Sequence, residues 1–380
     1  MQEEPVETLL NITFSDSIPA RNSISHSRQR KRVPTFLLEN GCVSFTRHPG
    51  MTPLLISTNK RFTRPMVSVV IATFNGANFV AASLQSVLSQ TQRPAEIVVV
   101  DDRSTDNTSS IVQSFALKSS IPFQFIRLSE NSGGPSRPIN VGIEAAKSEY
   151  LALLDQDDLM RPGRIAAQQA ALDDCPQCSI AIGRFSIIGE DENDLTPMWP
   201  VSQLDGLEHR FEEDSEFTVV DSEAAFRPLL KRNYAGSSSN FCFSRDWWQK
   251  IGRFDETVRT CPDLDFMLRA AMAGPVAVLN QHLFEYRWSS SSLQRRNVTR
   301  SLLEATMVRL RAASEKPEWA GDDLKELRHS ALILANASVR KGDFQAVRAI
   351  AETLSKHKGL EAVKERLNEK ARRLMGLPGR

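Results

Sequence analysis

The sequence predicts an α/β protein: a mostly parallel sheet with helices on both faces, followed by a helical C-terminal segment. Three observations predict it. Between residues 65 and 172, short apolar β-branched runs alternate with stretches of helical periodicity, the pattern of a parallel sheet covered on both sides. Hydrophobic residues make up 41% and charged residues 24%, as in a globular chain with a full core. That composition excludes a chain disordered throughout, a collagen-like repeat and a coiled-coil rod. Beyond residue 294 the strand signals stop and helical spacing takes over.

Residues 1–64 read as an N-terminal extension. The stretch 16–32 is rich in Ser, Asn and Arg and ends in Arg28-Gln29-Arg30-Lys31-Arg32. It buries little, so local disorder and a solvated linker are expected rather than a nucleic-acid segment. Asn40-Gly41, flanked by apolar residues, predicts a hairpin.

The main domain is expected over 65–294. Residues 66–73 (MVSVVIAT) form a first strand, and 78–90 a helix with Val80, Leu84, Val87 and Leu88 on one face. Residues 96–101 (EIVVVD) are a second buried strand. A helix over 106–116 comes next, with Asp106 or Thr105 as N-cap. Residues 122–128 alternate like a strand, 139–146 are helical, and 150–154 (YLALL) are another buried strand. Helices are expected over 162–172 and from Cys261-Pro262-Asp263 to residue 273. In the segment 295–380, helices are expected over 300–313, 322–341 and 343–356, with a turn at Lys341-Gly342-Asp343. A single hairpin of this kind is no repeat array, and a packing role is expected for it.

Charge and cysteine usage bound the function. Lys+Arg is 47 against Asp+Glu 46, a net charge of +1, which gives no support to a nucleic-acid wrapper. No apolar run approaches the ~18 residues of a membrane span. The start, MQEEPVETLL, lacks the basic and apolar regions of a secretory signal. The five cysteines are scattered and odd in number, so reduced thiols and a cytoplasmic protein are expected. Cys175-Pro176-Gln177-Cys178 lacks the second ligand pair of a structural zinc site.

In doubly wound sheets ligands bind beyond the carboxyl ends of the strands, so those ends are where chemistry is sought. Thr73-Phe74-Asn75-Gly76 offers an aromatic beside small polar groups. Asp101-Asp102 sets two carboxylates at a strand end. They either cap the next helix or accept a hydrogen bond from a base or ribose, and the residues alone leave both open. Glu130–Arg137 carries two glycines and Arg137, suited to close approach and to phosphate. Asp155-Gln156-Asp157-Asp158 is the sharpest signal. Three mutually repelling carboxylates after an apolar strand need a cation or strong donors, and an Asp-x-Asp pair suits Mg²⁺ or Mn²⁺. Asp158 is alternatively a cap for the next helix. Asp263, at the start of its helix, serves either the helix dipole or proton transfer.

Taken together, VSVVIATFN (67–75), EIVVVDDRSTDNT (96–108), ENSGGPSRPINVGI (130–143), EYLALLDQDDLMRP (149–162), NFCFSRDWWQKIGRFDE (240–256) and CPDLDFMLRAAMAG (261–274) resemble the family 2 glycosyltransferases. The resemblance implies the nucleotide-sugar-binding GT-A fold. It implies that Thr73 and Phe74 line the base pocket, that Asp102 hydrogen-bonds the base, and that Arg137 and Gln156 belong to the donor-binding set. Asp155 and Asp157 would be the DxD pair holding Mn²⁺ or Mg²⁺ against the diphosphate, and Asp263 the base of an inverting reaction. Arg287 would approach the leaving diphosphate. A UDP-sugar donor and a glycan or lipid-linked acceptor hydroxyl are implied, with transfer in polysaccharide synthesis at or near the inner face of the membrane. The C-terminal helices offer a peripheral membrane or protein contact. Two positions depart from the family pattern: Pro262 stands in place of a Glu and Ile139 in place of an Arg. They support the alternative of a catalytically silent nucleotide-sugar-binding or scaffolding protein.

Overall fold

The computed structural model describes residues 66–196, 207, 215–289 and 298–340, together with the backbone of two short strands at 37–38 and 41–42. The basic run 28–32, the turn at 341–343, the helix expected over 343–356 and most of the segment 197–214 lie outside the described residues. The chain divides into two compact units, Met1–Phe62 and Thr63–Arg380. In the first, β1 (Leu37–Leu38) pairs antiparallel with β2 (Gly41–Cys42), Leu38 facing Gly41. Gly41 is therefore a strand residue and does not occupy the turn position that an Asn-Gly hairpin would give it.

The second unit is a sheet flanked by helices. Its parallel half is β3 (Val67–Thr73), β4 (Glu96–Asp101), β5 (Phe123–Arg127) and β6 (Tyr150–Asp155), in spatial order β5-β4-β3-β6. Beyond β6 the sheet turns mixed. β10 (Cys242–Ser244) runs antiparallel to both β6 and β8 (Ile180–Ile188), and β8 pairs parallel with β11 (Val276–Arg287). The short β7 (Leu159–Met160) and β9 (Phe217–Val220) pair with β11. The periodicity of the sequence shows the parallel half best, because its strands are continuous apolar runs.

Alternation along the central strands builds two cores. Val67, Val69 and Ile71 face α1 (Val80–Leu88), α2 (Thr108–Lys118) and α4 (Arg164–Asp174), with Leu84, Val112 and Ile165 buried among them. Val70, Val98 and Val100 belong to the core under α3 (Ser136–Ala145). That core extends to α5 (Ser222–Leu229), α6 (Arg245–Ile251), α7 (Pro262–Ala273) and the helix Val298–Glu315. Gly142 lets α3 lie close on the sheet, since a Cβ there would overlap Val70 Cγ1.

Three expectations are revised. α3 begins at Ser136, three residues earlier than read, because Pro138 sits in its first turn where no N–H is needed. Asp158 does not cap α4. That helix starts after Gly163, at φ 86°, and Asp158 is engaged elsewhere. Cys175 and Cys178 are joined in a disulfide, so the expectation of reduced cysteines fails for this pair. The turn Cys178 N–H to Cys175 O, 2.9 Å, brings their Cα atoms to 5.5 Å, within bridging range. Cys242 and Cys261 are free and buried. No helix among the described residues is long and apolar enough to cross a membrane.

Candidate active site

Strand register sets the site. Thr73 faces Asp101 across β3 and β4, and Ala72 faces Asp155 across β3 and β6. The segments 73–76, 101–106 and 155–158 therefore leave the sheet at one edge. The chain lays β4 and β5 on one side of β3, then returns to place β6 on the other. The crevice of such a sheet opens where the order reverses, here between the ends of β3 and β6.

On the β3 side, Thr73 is buried and Phe74 is 43% exposed. Asn75 takes a left-handed φ of 49°, which Asn tolerates better than most residues. Its Oδ1 accepts from Thr105 N–H at 2.8 Å, and its own N–H donates to Ser104 Oγ at 2.9 Å. Gln156 reaches across the crevice: Phe74 N–H donates to Gln156 Oε1 at 2.8 Å, and Gln156 Nε2 donates to Phe74 O at 3.0 Å. Gly76 leaves room for this pairing, since a Cβ there would displace the Gln156 amide.

The adjacent carboxylates Asp101 and Asp102 point to opposite faces, as neighbours at a strand end do. Each meets its own donors. Asp101 accepts from Ser109 Oγ at 2.8 Å and Ser104 N–H at 3.2 Å, and pairs with Arg127 at 3.2 Å. Asp102, 3% exposed, accepts from Ser132 N–H and Oγ, each at 2.9 Å, and from Asn131 Nδ2 at 3.0 Å. Its carboxylate anchors the glycine loop to the sheet. Arg137 pairs with Glu130 at 3.0 Å, with both side chains exposed. Ile139 is 3% exposed and packs in the core beneath α3.

The acidic segment is held from two directions. Ser238 Oγ donates to Asp155 Oδ1 at 2.7 Å, and Asp155 N–H donates to Ser239 Oγ at 2.9 Å. Ser239 Oγ and Ser237 Oγ donate to Asp158 Oδ2 at 2.6 and 3.2 Å. Arg287, 2% exposed, donates from Nε to Asp157 O at 2.8 Å, and its N–H donates to Asp158 Oδ1 at 2.8 Å. Its remaining donors reach Gly189 O, Glu190 O and Glu192 Oε1. Arg287 thus braces the acidic loop from below.

Arg164 lies buried near Asp155 and Asp158 and acts on both electrostatically, with Nη1 unpartnered. Burial raises all three acidic side chains above the usual carboxylate range. Serine hydrogen bonds oppose the rise at Asp155, whereas Asp155 adds to it at Asp157, which reaches about 6. Burial and both neighbours raise Asp158.

Asp263 opens α7 and is 6% exposed. Pro262 precedes it at the first helical position, where proline's fixed φ and missing N–H fit. One turn on, Phe266 stacks on Phe254 with centroids 4.2 Å apart, locking the helix to the core. Asn233 Nδ2 donates to Asp263 Oδ2 at 2.6 Å. Burial, then the charge of Asp155, lifts Asp263 to about 7.

The helix Val298–Glu315 supports this corner. Glu304 accepts from Arg259 N–H at 3.0 Å and Thr260 N–H at 2.7 Å, and Arg311 pairs with Asp255 and Asp265. Arg309 from the same helix acts electrostatically on Asp263.

Asp155 and Asp157 offer carboxylate oxygens, the ligand type a hard divalent cation takes. Asp155 acts electrostatically on Asp157, Asp158 and Asp263, and Arg164 and Arg287 oppose the charge of the acidic segment. Among the described residues no three His, Cys, Asp or Glu groups gather in ligand geometry. A cation here would be held by Asp155 and Asp157 with substrate oxygens and water completing its shell. Sequence reasoning missed Asn233, Ser237–Ser239, Arg164 and the helix that braces residues 255–265. Their residue types carry no motif, and only the fold brings them to the acidic segments.

This arrangement has known relatives. Residues 68–250 match the sequence model of the family described as Glycosyl transferase family 2. Those residues belong to that family. The family 2 domain, as matched, ends before Asp263. An uncharacterized glycosyltransferase of Rickettsia felis is 27% identical over 227 residues, 60% of this chain and 35% of that protein. The succinoglycan biosynthesis protein ExoO of Rhizobium meliloti is 28% identical over 217 residues, 55% of this chain and 57% of that protein. The chain spans 35% to 58% of the length of four rickettsial relatives. Among solved structures, S. aureus TarS 1–349 in complex with UDP is similar with a TM-score of 0.51 at 19% identity, over 81% of this chain and 88% of that one. That likeness shows a shared mixed α/β architecture.

Proposed function

We propose that the chain is an inverting, divalent-cation-dependent glycosyltransferase that moves a sugar from a nucleoside diphosphate to an acceptor hydroxyl in polysaccharide or surface-glycan synthesis. One observation carries the reading: Asp155 of the DxD pair and Asp263, 108 residues apart in the chain, are bonded by one short turn, Asp155 by Ser238 Oγ at 2.7 Å and Asp263 by Asn233 Nδ2 at 2.6 Å. The family match and the ExoO likeness support the reaction class and setting. The TarS structures in complex with UDP and with UDP-GlcNAc make a UDP-sugar the first donor to try.

In this reading the exposed Phe74 stacks on the donor base, with Thr73 beside it and Gln156 fixing its backbone. Asp102 holds the glycine loop against the same side of the crevice, with Arg137 at its rim. Asp155 and Asp157 hold Mn²⁺ or Mg²⁺, which when bound neutralises the charge growing on the leaving diphosphate. Asp263 takes the acceptor hydroxyl's proton as that oxygen attacks the anomeric carbon from the face opposite the departing phosphate. A base near 7 is well matched to neutral solution. Pro262 and Ile139, the two departures that favour a silent scaffold, are accounted for by helix entry and core packing.

The test is a panel of UDP-, GDP- and dTDP-sugars with Mn²⁺, read by thermal shift and by release of nucleoside diphosphate. Asp263→Asn should lower turnover by about 10²–10⁴ while UDP affinity stays within about threefold. Unchanged turnover would remove Asp263 as the base. A panel without a single shift or product would remove the donor reading.

A further inference from the structure

The turn segment 233–240, which ends in the 3-10 turn Ser238–Asn240, touches Asp155, Asp158 and Asp263. Asn233 Nδ2 donates to Asp263 Oδ2 at 2.6 Å, Ser238 Oγ to Asp155 Oδ1 at 2.7 Å, and Ser239 Oγ to Asp158 Oδ2 at 2.6 Å. The segment is itself fixed. Tyr234 Oη donates to Ala225 O at 2.8 Å. The Asn240 side chain donates to Gly183 O at 2.7 Å and accepts from Gly183 N–H at 2.8 Å. One rigid piece of chain therefore spans the leaving-group carboxylates and the base.

From this geometry we infer that segment 233–240 is the spacer setting the base against the leaving group, and that Asn233 is its positioning residue. The inference rests on the reading of Asp263 as the base. The orientation of the Asn233 amide follows from its other contact: Oδ1 accepts Ala235 N–H at 3.3 Å, which turns Nδ2 toward Asp263. A charge-assisted bond of this length fixes one carboxylate oxygen. The backbone N–H groups of Asp263 and Leu264 bond the same carboxylate and hold its orientation further. The Asn233 bond also favours the ionised form and opposes the rise caused by burial and by Asp155. The titratable groups Cys261, near it in the chain, and Arg309, from the helix Val298–Glu315, also act on Asp263.

Two substitutions separate positioning from loop bracing. Asn233→Ala removes both contacts. Asn233→Asp keeps an acceptor for Ala235 N–H, and so keeps the turn, but loses the donor to Asp263. The Asp263 carboxyl is titrated in the full chain by carbon-13 NMR, its signal assigned by its loss in Asp263→Asn. The midpoint should rise by about one pH unit in Asn233→Ala and further in Asn233→Asp. With Mn²⁺ and UDP-GlcNAc as probe, kcat for UDP release at pH 7 should fall about tenfold or more in both, with KM for the donor within about twofold. Raising the pH should restore much of the rate in Asn233→Ala.

An Asp263 midpoint unmoved in both variants overturns the inference, as does an Asn233→Asp protein matching wild type in midpoint and rate. A wild type that turns over no nucleotide sugar removes the enzyme reading instead, and the NMR titration then still decides whether Asn233 controls Asp263.

Discussion

Gln156 closes on Phe74 through both edges of its side-chain amide, accepting from the Phe74 N–H at 2.8 Å and donating to the Phe74 carbonyl at 3.0 Å. Gln156 stands between the two proposed cation ligands, and Phe74 is the exposed ring at the mouth of β3. The pairing therefore joins the phosphate side of the crevice to the base side. Gln156→Ala should weaken UDP binding by about tenfold, the worth of one to two neutral hydrogen bonds. Gln156→Glu keeps the acceptor and loses the donor, so it should fall between. Equal UDP affinity in all three proteins, measured by calorimetry, would show that the two sides are not linked this way.

Asp102 gives a prediction about stability. Its buried carboxylate takes donors from Asn131 and Ser132. Asp102→Ala leaves those donors without their charged acceptor and should cost about 3 kcal/mol of unfolding free energy, read from urea denaturation. Arg137→Ala, which breaks an exposed ion pair with Glu130, should cost under about 1 kcal/mol. Similar costs for the two would contradict the anchoring role of Asp102.

The raised acids set a pH dependence. Asp157 titrates near 6 and Asp263 near 7 in the folded protein, against a usual value of 3.8. The native state thus holds protons that the unfolded chain has released, and stability falls as pH rises between about 4 and 7. Asp157→Asn should flatten that fall between about 4 and 6. Mn²⁺ competes with protons for the same oxygens, so it should raise the melting temperature more at pH 8 than at pH 5. A slope left intact in Asp157→Asn would show that the strain lies elsewhere.

Much of the parallel half was legible because buried strands are continuous apolar runs, as in EIVVVD, and because their carboxyl ends carry the polar clusters. Asp155, Asp157 and Asp263 stood out for the same reason: charge adjoining apolar sequence is conspicuous. The strands β9 and β10 are short, and the order of the mixed half depends on pairings between residues such as Cys242 and Ala152, which no local pattern encodes. Asn233 and Ser237–Ser239 were invisible because hydrogen-bond partners distant in sequence leave no spacing to read. The two adjacent carboxylates Asp101 and Asp102 looked alike in sequence, and strand pleating gave them separate tasks. The Cys175–Cys178 bridge was misread because an odd cysteine count says nothing about a tight local turn.

The central claim, that a cation on Asp155 and Asp157 holds a nucleoside diphosphate in the β3–β6 crevice, is tested most directly by calorimetric titration of UDP into wild type and Asp157→Ala, each with Mn²⁺ and with EDTA. The account predicts tight binding only for wild type with Mn²⁺, at least about tenfold weaker without the metal or the carboxylate. Equal UDP affinity in all four titrations would contradict it.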